Sequence, residues 1–462
     1  MARSIVYIIT LGFIRIGSSI AQDTVPPILL LRAEESYEFL AEEKENTIAF
    51  QSLKYIPIQN DKMLFLSLGG EYRARLESFT NQNYSSEHDS YYSQRLDLHG
   101  SLHLGKRVRF FGELYHGLTS GPNRFLEDET LDLHQGFLEV ILHEDDLSTF
   151  SIRGGRQEIG YGISRLVGIR EGPNMRRSFD LIKLDYQWKK RSVNILYGKE
   201  LTYGFEAFDN ESQFFQEDGL SPFLWGIYIK ENTVGRIGNF DFYYFGFHSN
   251  ASILNDISGQ ETRHSLGIRS YGNFRRFSYN TELIYQFGKL GSATINAYNF
   301  ETDWKLMLVS GGWKPTMGLR LDFSSGDRRI NDNQVQTFNP LFVNPAIYSL
   351  AGVNTPSNLT SLHPNLTIYP TSEFSIYLDF AIFFRTRSQD ALYTPPRFIL
   401  REANNHEERH IGNVLGFQAQ YEINRNISID FRSSYFITGR FIEVSGASKN
   451  TFYIAPTMSF KI

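Results

Sequence analysis

From residue 64 to its end the chain alternates apolar and polar side chains one by one, segment after segment. In 277–287, Phe277, Tyr279, Leu283, Tyr285 and Phe287 share one parity, and Ser278, Asn280, Glu282 and Gln286 share the other. The stretches 415–421 and 427–432 repeat the pattern, with Leu415, Phe417, Tyr421, Ile427, Ile429 and Phe431 on the apolar side. A strand sends successive side chains to opposite faces, so each segment has one apolar and one polar face. Eighteen such segments can be counted, the first at 64–79 and the last at 451–461. Their connections alternate in length. Long ones (80–91, 119–130, 159–175, 202–221, 326–358, 387–408, 439–450) are separated by short ones such as Gly105, Pro370-Thr371 and Asn424, and 289–292 is the one exception on the long side. A water-soluble sandwich, the competing β-rich architecture, has no reason to alternate connection lengths. A barrel that crosses a membrane does, with short periplasmic turns and long outer loops. Strands of about 11 residues are long enough to cross when tilted. Closure gives every backbone group a partner in hydrocarbon, and about eighteen strands leave a wet lumen for the polar face. The expectation is an all-β transmembrane outer-membrane β-barrel of about 18 antiparallel strands.

The N-terminus reads as a processing signal. Arg3 precedes the apolar run 5–14, and Ser19 and Ala21 are small where a signal peptidase reads, so 1–21 is expected to be a signal peptide. Its removal takes Arg3 and Arg15 and moves the net charge from −5 to −7. That balance argues against a nucleic-acid partner, which calls for a basic face. The chain has no cysteine, which excludes disulfides, thiolate metal sites and cysteine nucleophiles. Residues 22–60 are too short for a core of their own and read as a periplasmic segment, leaving 61–462 for the barrel. Beyond the signal no apolar run is long enough for a spanning helix. The outer membrane of a Gram-negative bacterium is the expected location, with its lipid and the barrel-assembly machinery as partners.

Phase assigns the polar face to the lumen. It carries Glu71, Arg73, Arg75 and Glu77 in the first segment, then Arg95, Asp97, His99 and His103, and later Arg269, Arg320 with Asp322, Asp379 with Arg385, and Asp430 with Arg432. Opposite charges on one wall are expected to pair and brace it. One stretch departs from that balance. Between Arg156 and Arg177 lie five arginines (Arg156, Arg165, Arg170, Arg176, Arg177) and two carboxylates, Glu158 and Glu171, on a glycine-rich connection. Such a loop can fold into a pore, and a guanidinium cluster at a constriction selects anions. An enzyme would need a nucleophile beside a base. His99, Ser101 and His103 share one face but form no recognisable catalytic spacing. No enzyme activity, cofactor or metal site is assigned.

Several blocks, in order from about residue 53 to the end, resemble the alginate-export porin family. They are LKYIPI, LSLGGEYRARLE, LDLHQGFLEV, GRQEIGYGISRLVGIREGPNMRRSFD, TFNPLF and NLTSLHPNLTIYPT. The resemblance implies an 18-stranded barrel that passes an anionic uronate polysaccharide through an arginine-lined constriction capped by loops. It places Arg73, Arg75, Arg156, Arg176 and Arg177 in matching motifs, with Asp180 as their partner. Together with phase it gives an expected pore lining of Arg73, Arg75, Arg95, Arg156, Arg170, Arg176, Arg177, Asp180, Arg269, Arg320 and Arg432. The Lys461-Ile462 ending and the many lumen acids depart from the family pattern, and the acids leave the solute open. The expected function is passive passage of an anionic polysaccharide, oligosaccharide or other carboxylated solute. The alternatives are a general or sugar-specific porin and, further off, a barrel enzyme or an adhesin.

Overall fold

The computed structural model describes residues 26–462, apart from 43–48, 59–62, 123, 217–218, 233–237, 352–353, 396 and 405. The expected signal peptide lies outside the described residues. Eighteen barrel strands follow one another: β1 (Leu64–Thr80), β2 (His88–Leu104), β3 (Val108–Thr119), β4 (Glu129–Glu144), β5 (Ser148–Gln157), β6 (Phe179–Trp188), β7 (Arg191–Glu200), β8 (Phe223–Glu231), β9 (Asn239–Leu254), β10 (Ile257–Phe274), β11 (Phe277–Leu290), β12 (Ala293–Met307), β13 (Thr316–Ser324), β14 (Leu359–Ile368), β15 (Phe374–Arg385), β16 (His410–Glu422), β17 (Ile427–Thr438) and β18 (Thr451–Lys461). Each pairs antiparallel with the next, and β18 returns to β1 through Arg73↔Ser459 and Tyr72↔Phe460, so the sheet is closed. Closure leaves no open edge in hydrocarbon. Ile462 completes the seam, exchanging backbone hydrogen bonds with Gly70.

The apolar parity faces outward as expected. Leu98, Leu114, Leu266, Leu283, Tyr285, Leu415 and Met458 are exposed on the outer surface, where lipid replaces water. One expectation about connections needs correction. The turn between β9 and β10 is only 255–256, so 291–292 is not the single short outer connection. Asn255 (φ 50°) and Gly291 (φ 55°) take the left-handed conformation these tight turns need. The hairpins β9–β10 and β11–β12 therefore stand as a wall at the outer end. Leu254, Leu290, Ala293 and Ile295 on that wall pack against Val335, Ala391 and Tyr393 from the two loops that lean on it.

The core lies inside the barrel. The loops 158–178 and 325–358 fold inward and meet through a parallel bridge between Val167 and Phe342. Ile159, Tyr161, Leu166 and Val167 from one loop, and Phe338, Leu341 and Phe342 from the other, pack on Phe179, Leu181, Leu196, Leu224, Tyr243, Phe245, Phe247 and Ile284 of the wall. The N-terminal segment enters from the turn side. Ala33 is seated between Phe111 of β3 and Phe137 of β4. Arg109 donates to its carbonyl at 2.6 Å, and Arg153 pairs with Glu34 at 2.7 Å. Residues 49–58 add a short strand, Ile56–Pro57, on the start of β1. The described residues of the preface take their core from the barrel's interior.

Candidate functional site

On β1 and β2 the register sets like charges opposite each other, Arg73↔Arg95 and Glu71↔Asp97. Directly opposed like charges destabilise a sheet unless something comes between them. The 158–178 loop supplies it. Glu171 places Oε1 3.4 Å from Arg73 Nη1 and 3.2 Å from Arg95 Nη2, and Oε2 3.2 Å from Arg176 Nη1. The opposed acids are met by Arg95, 3.5 Å from Glu71 and 3.6 Å from Asp97, and by Lys461, 3.9 Å from Glu71. Burial alone raises the Glu171 carboxyl, but Arg95, Arg176 and Arg73 outweigh it and hold it well below the usual carboxylate range. Arg176 also grips Glu158 at 2.7 Å, and Glu158 meets His134 Nε2 at 2.8 Å. There burial wins over Arg176 and pushes the Glu158 carboxyl up to about 7.

The remaining loop arginines brace in the same way. Arg165 meets Glu301 of β12 at 2.5 Å. Arg177 meets Glu200 of β7 at 2.8 Å and donates to the carbonyls of Gly168 and Phe342. Arg75 donates to Thr457 and to the Gly172 carbonyl, with Glu77 at 3.9 Å. Arg170 has a different set of partners: it donates to the Met175 carbonyl and lies over the Tyr203 ring at 5.2 Å. Beyond the loop, Arg269 pairs with Asp241 at 2.6 Å and Arg432 with Asp430 at 2.7 Å. Arg320 donates to the Ile347 carbonyl in the second inward loop and approaches His363 at 3.4 Å. Lumen and loops are thus stitched by guanidinium groups, and the surplus positive charge expected of 156–177 is mostly matched by carboxylates from distant strands.

Arg156 and Asp180 need correction. They oppose one another across β5 and β6 and pair at 3.0 Å, but on the outward parity, in phase with the exposed Ile182 and Tyr186. The 201–222 loop folds down over them, and Arg156 donates to the Asn210 carbonyl at 3.1 Å. They do not join the other nine on the inside of the barrel. Gly155, at φ 129°, cannot carry a side chain here, because a Cβ would sit 2.4 Å from the Gly136 carbonyl oxygen. Sequence reasoning also passed over the partners Glu200, Glu301, Tyr203 and Phe342. Their spacing from the arginines gives no signal; only the parity of Glu301 and Glu200 pointed inward.

The Ser/His row is closer than spacing suggested. Ser101 Oγ lies 3.1 Å from His103 Nε2, and Glu38 of the preface lies 3.8 Å from His103 Nδ1. The cavity beside them measures about 10 Å³, room for about one water. It is roofed by Arg32, Glu35 and Tyr37.

A closed 18-stranded barrel with a lipid-facing apolar belt, a charged lumen and two inward loops is an outer-membrane channel of the porin type. Its fold is shared by solved porins at low sequence identity. The OpdO channel of Pseudomonas aeruginosa aligns at a TM-score of 0.57 with 10% identity, covering 86% of this chain and 97% of that one. A BenF-like porin of Pseudomonas fluorescens Pf-5 gives 0.58 with 9% identity over 86% and 98%. OccK2 (OpdF) of Pseudomonas aeruginosa, solved in complex with glucuronate, gives 0.55 with 10% identity over 86% and 96%. The chain belongs to the alginate export family, which it matches over residues 65–455. No curated protein matches it.

Proposed function

We propose that the channel passes carboxylated saccharides, from uronate oligosaccharides up to an alginate-like polymer, by passive diffusion, with Arg73, Arg75, Arg95, Arg170, Arg176, Arg177, Arg269, Arg320 and Arg432 lining the route. The observation that carries this reading is the set of inward guanidinium groups whose hydrogen bonds end on neutral acceptors. Arg170 donates to Met175 O, Arg320 to Ile347 O, and Arg385 to the carbonyls of Ser388, Asp390, His406 and Glu408. A carbonyl satisfies the N–H groups without cancelling the charge, which leaves Arg170 a positive potential that confinement strengthens, whereas Arg320 stands near Asp322 and Asp379 and Arg385 is fully buried near Asp390 and Glu408. A planar fork then suits a uronate carboxylate. The glucuronate in the similarly folded OccK2 supports the same solute class. The abundance of lumen acids favours a second reading, a porin without charge preference, because paired charges brace a wall without selecting ions.

Planar-bilayer reversal potential in a KCl gradient separates the two. Anion preference that falls when Arg170→Gln and Arg320→Gln are combined, together with weaker block by oligouronates, supports the first reading. A reversal potential unmoved in the folded double variant overturns it in favour of the second.

A further inference from the structure

Below the arginine stitch, on the inner faces of β2 and β3, Asp97, His99 and Glu113 form a cluster that the channel reading does not use. One ligand atom from each lies within 4.8 Å of one from each of the others, and all three residues are buried. That spacing is within the span that one ion with bonds of about 2.0–2.4 Å can bridge. The second observation is independent of spacing. Asp97 Oδ1, His99 Nδ1 and Glu113 Oε1 are each buried without a hydrogen-bond partner. An orphaned buried polar atom is costly, and three side by side on one wall form a set.

The other end of each side chain is already held. Asp97 Oδ2 is 3.6 Å from Arg95 Nε, Glu113 Oε2 accepts from Gln135 Nε2, and the His99 ring stacks on Phe111 with centroids 5.6 Å apart. This is how ligating side chains are oriented, by a partner on the far atom that leaves the near atom open. The neighbouring trio Glu113, His134 and Glu158 is different, because His134 and Glu158 are bonded to each other and Arg176 holds Glu158. Charge points the same way. Glu71 lies opposite Asp97; Arg95 meets both, Lys461 meets Glu71, and Arg176 is the cation that faces Glu113, so three acids share three cations of which Arg176 is already committed to Glu158 and Glu171. Arg32 and Lys54 of the preface approach His99, as does the more distant Arg176.

We propose that Asp97, His99 and Glu113 bind one divalent transition-metal ion inside the barrel wall. One imidazole and two carboxylates suit zinc, with water as a fourth ligand. The ion neutralises the acid surplus beneath Arg95 and so fixes the arginine that holds Glu171 and the inward loop.

The test uses the full chain refolded in detergent, stripped with EDTA, and titrated with ZnCl₂ by calorimetry. One Zn²⁺ bound per chain, with affinity reduced at least about tenfold in Glu113→Gln and in His99→Gln and unchanged in His143→Gln, is the expected result. No binding, or binding that these two variants leave intact, overturns the site. Should either variant fail to fold into the barrel, zinc K-edge absorption of the wild-type protein decides. One imidazole with oxygen ligands supports the site, and a shell of two or more imidazoles overturns it by assigning the ion to other histidines.

Discussion

The two sides of the lumen wall hold the inward loop in different proportions of ion pairs and apolar contact. Along β1–β5 the inward residues are charged, among them Glu71, Arg73, Arg95, Asp97, Glu113 and Arg153, and they are joined by ion pairs to the 158–178 loop and the preface. Along β6–β11 the inward residues include Phe179, Leu181, Leu196, Leu224, Phe245, Phe247 and Ile284, which hold the same loop and its neighbour by apolar contact, beside charged groups such as Glu200, Asp241, Glu261, Arg263 and Glu282. One inward loop therefore has a charged edge and an oily back, and each seats on the matching wall. The difference teaches that inside this barrel polarity alone does not mark the pore. The apolar patch on β6–β11 is core, formed with the two inward loops.

The largest expected effect comes from breaking the charged side. Arg176→Gln leaves Glu158 and Glu171 without their shared cation inside the barrel, and removing one partner of a buried pair costs about 3–5 kcal/mol. A large drop in the thermal midpoint of the folded barrel should accompany noisier single-channel current, whereas an unchanged midpoint would mean that the loop is held from its apolar back alone. Next comes the apolar side. Phe342 packs edge-on against Phe179 at 5.1 Å and Phe247 at 5.8 Å. Phe342→Ala should cost about 3 kcal/mol and raise conductance with little change in ion preference. A change in preference without a change in conductance would contradict the division between the two sides.

Acid should loosen the charged edge of the loop. Glu171 has a folded pKa held below its unfolded value, so its contribution is present above about pH 4.5 and is lost as pH falls towards the folded value. Single-channel noise should grow below about pH 4 in the wild type, and in Glu171→Gln it should be high already and independent of acid. The smallest effect is expected from Arg156→Gln. Because Arg156 faces outward under the 201–222 loop, the reversal potential should stay where it is; a shift towards cation preference would return Arg156 to the solute route.

How far the sequence carried differed along the same line. Strand number and facing were legible because lipid tolerates only the apolar parity, as Leu283 and Tyr285 against Glu282 and Gln286 illustrate. The shared family motifs agreed with it. The inward parity of β9 was harder to read, since Tyr243, Phe245 and Phe247 point inward while Phe242 points out, and alternation fades when both faces are apolar. The pairing of Arg73 with Glu171, 98 positions apart, depends on how a loop enters the lumen, and no local pattern encodes that. Arg156 misled because its charge suggested a wet surface. Its parity already pointed outward, and the overhanging loop that covers it was invisible in the sequence. The preface was judged by the core it could make alone, and its Ala33 and Tyr37 find theirs inside the barrel.

Arg32 of the preface donates a hydrogen bond to Ile462, 430 positions away at the other end of the described chain. That contact has a consequence for the order of assembly. Hairpins such as β9–β10 can form from neighbouring residues, but the seam between β1 and β18 and the Arg32 contact both wait for the last strand. Contacts of such long separation are slow to form, although the entropic cost of the large loop rises only by about 0.6 kcal/mol per doubling of its length. The Arg32 contact of the preface is therefore among the last to form, on the turn side where β1 begins and β18 ends. The Arg32 contact can form only in a molecule whose wall is complete, so its presence reports that the barrel has been finished.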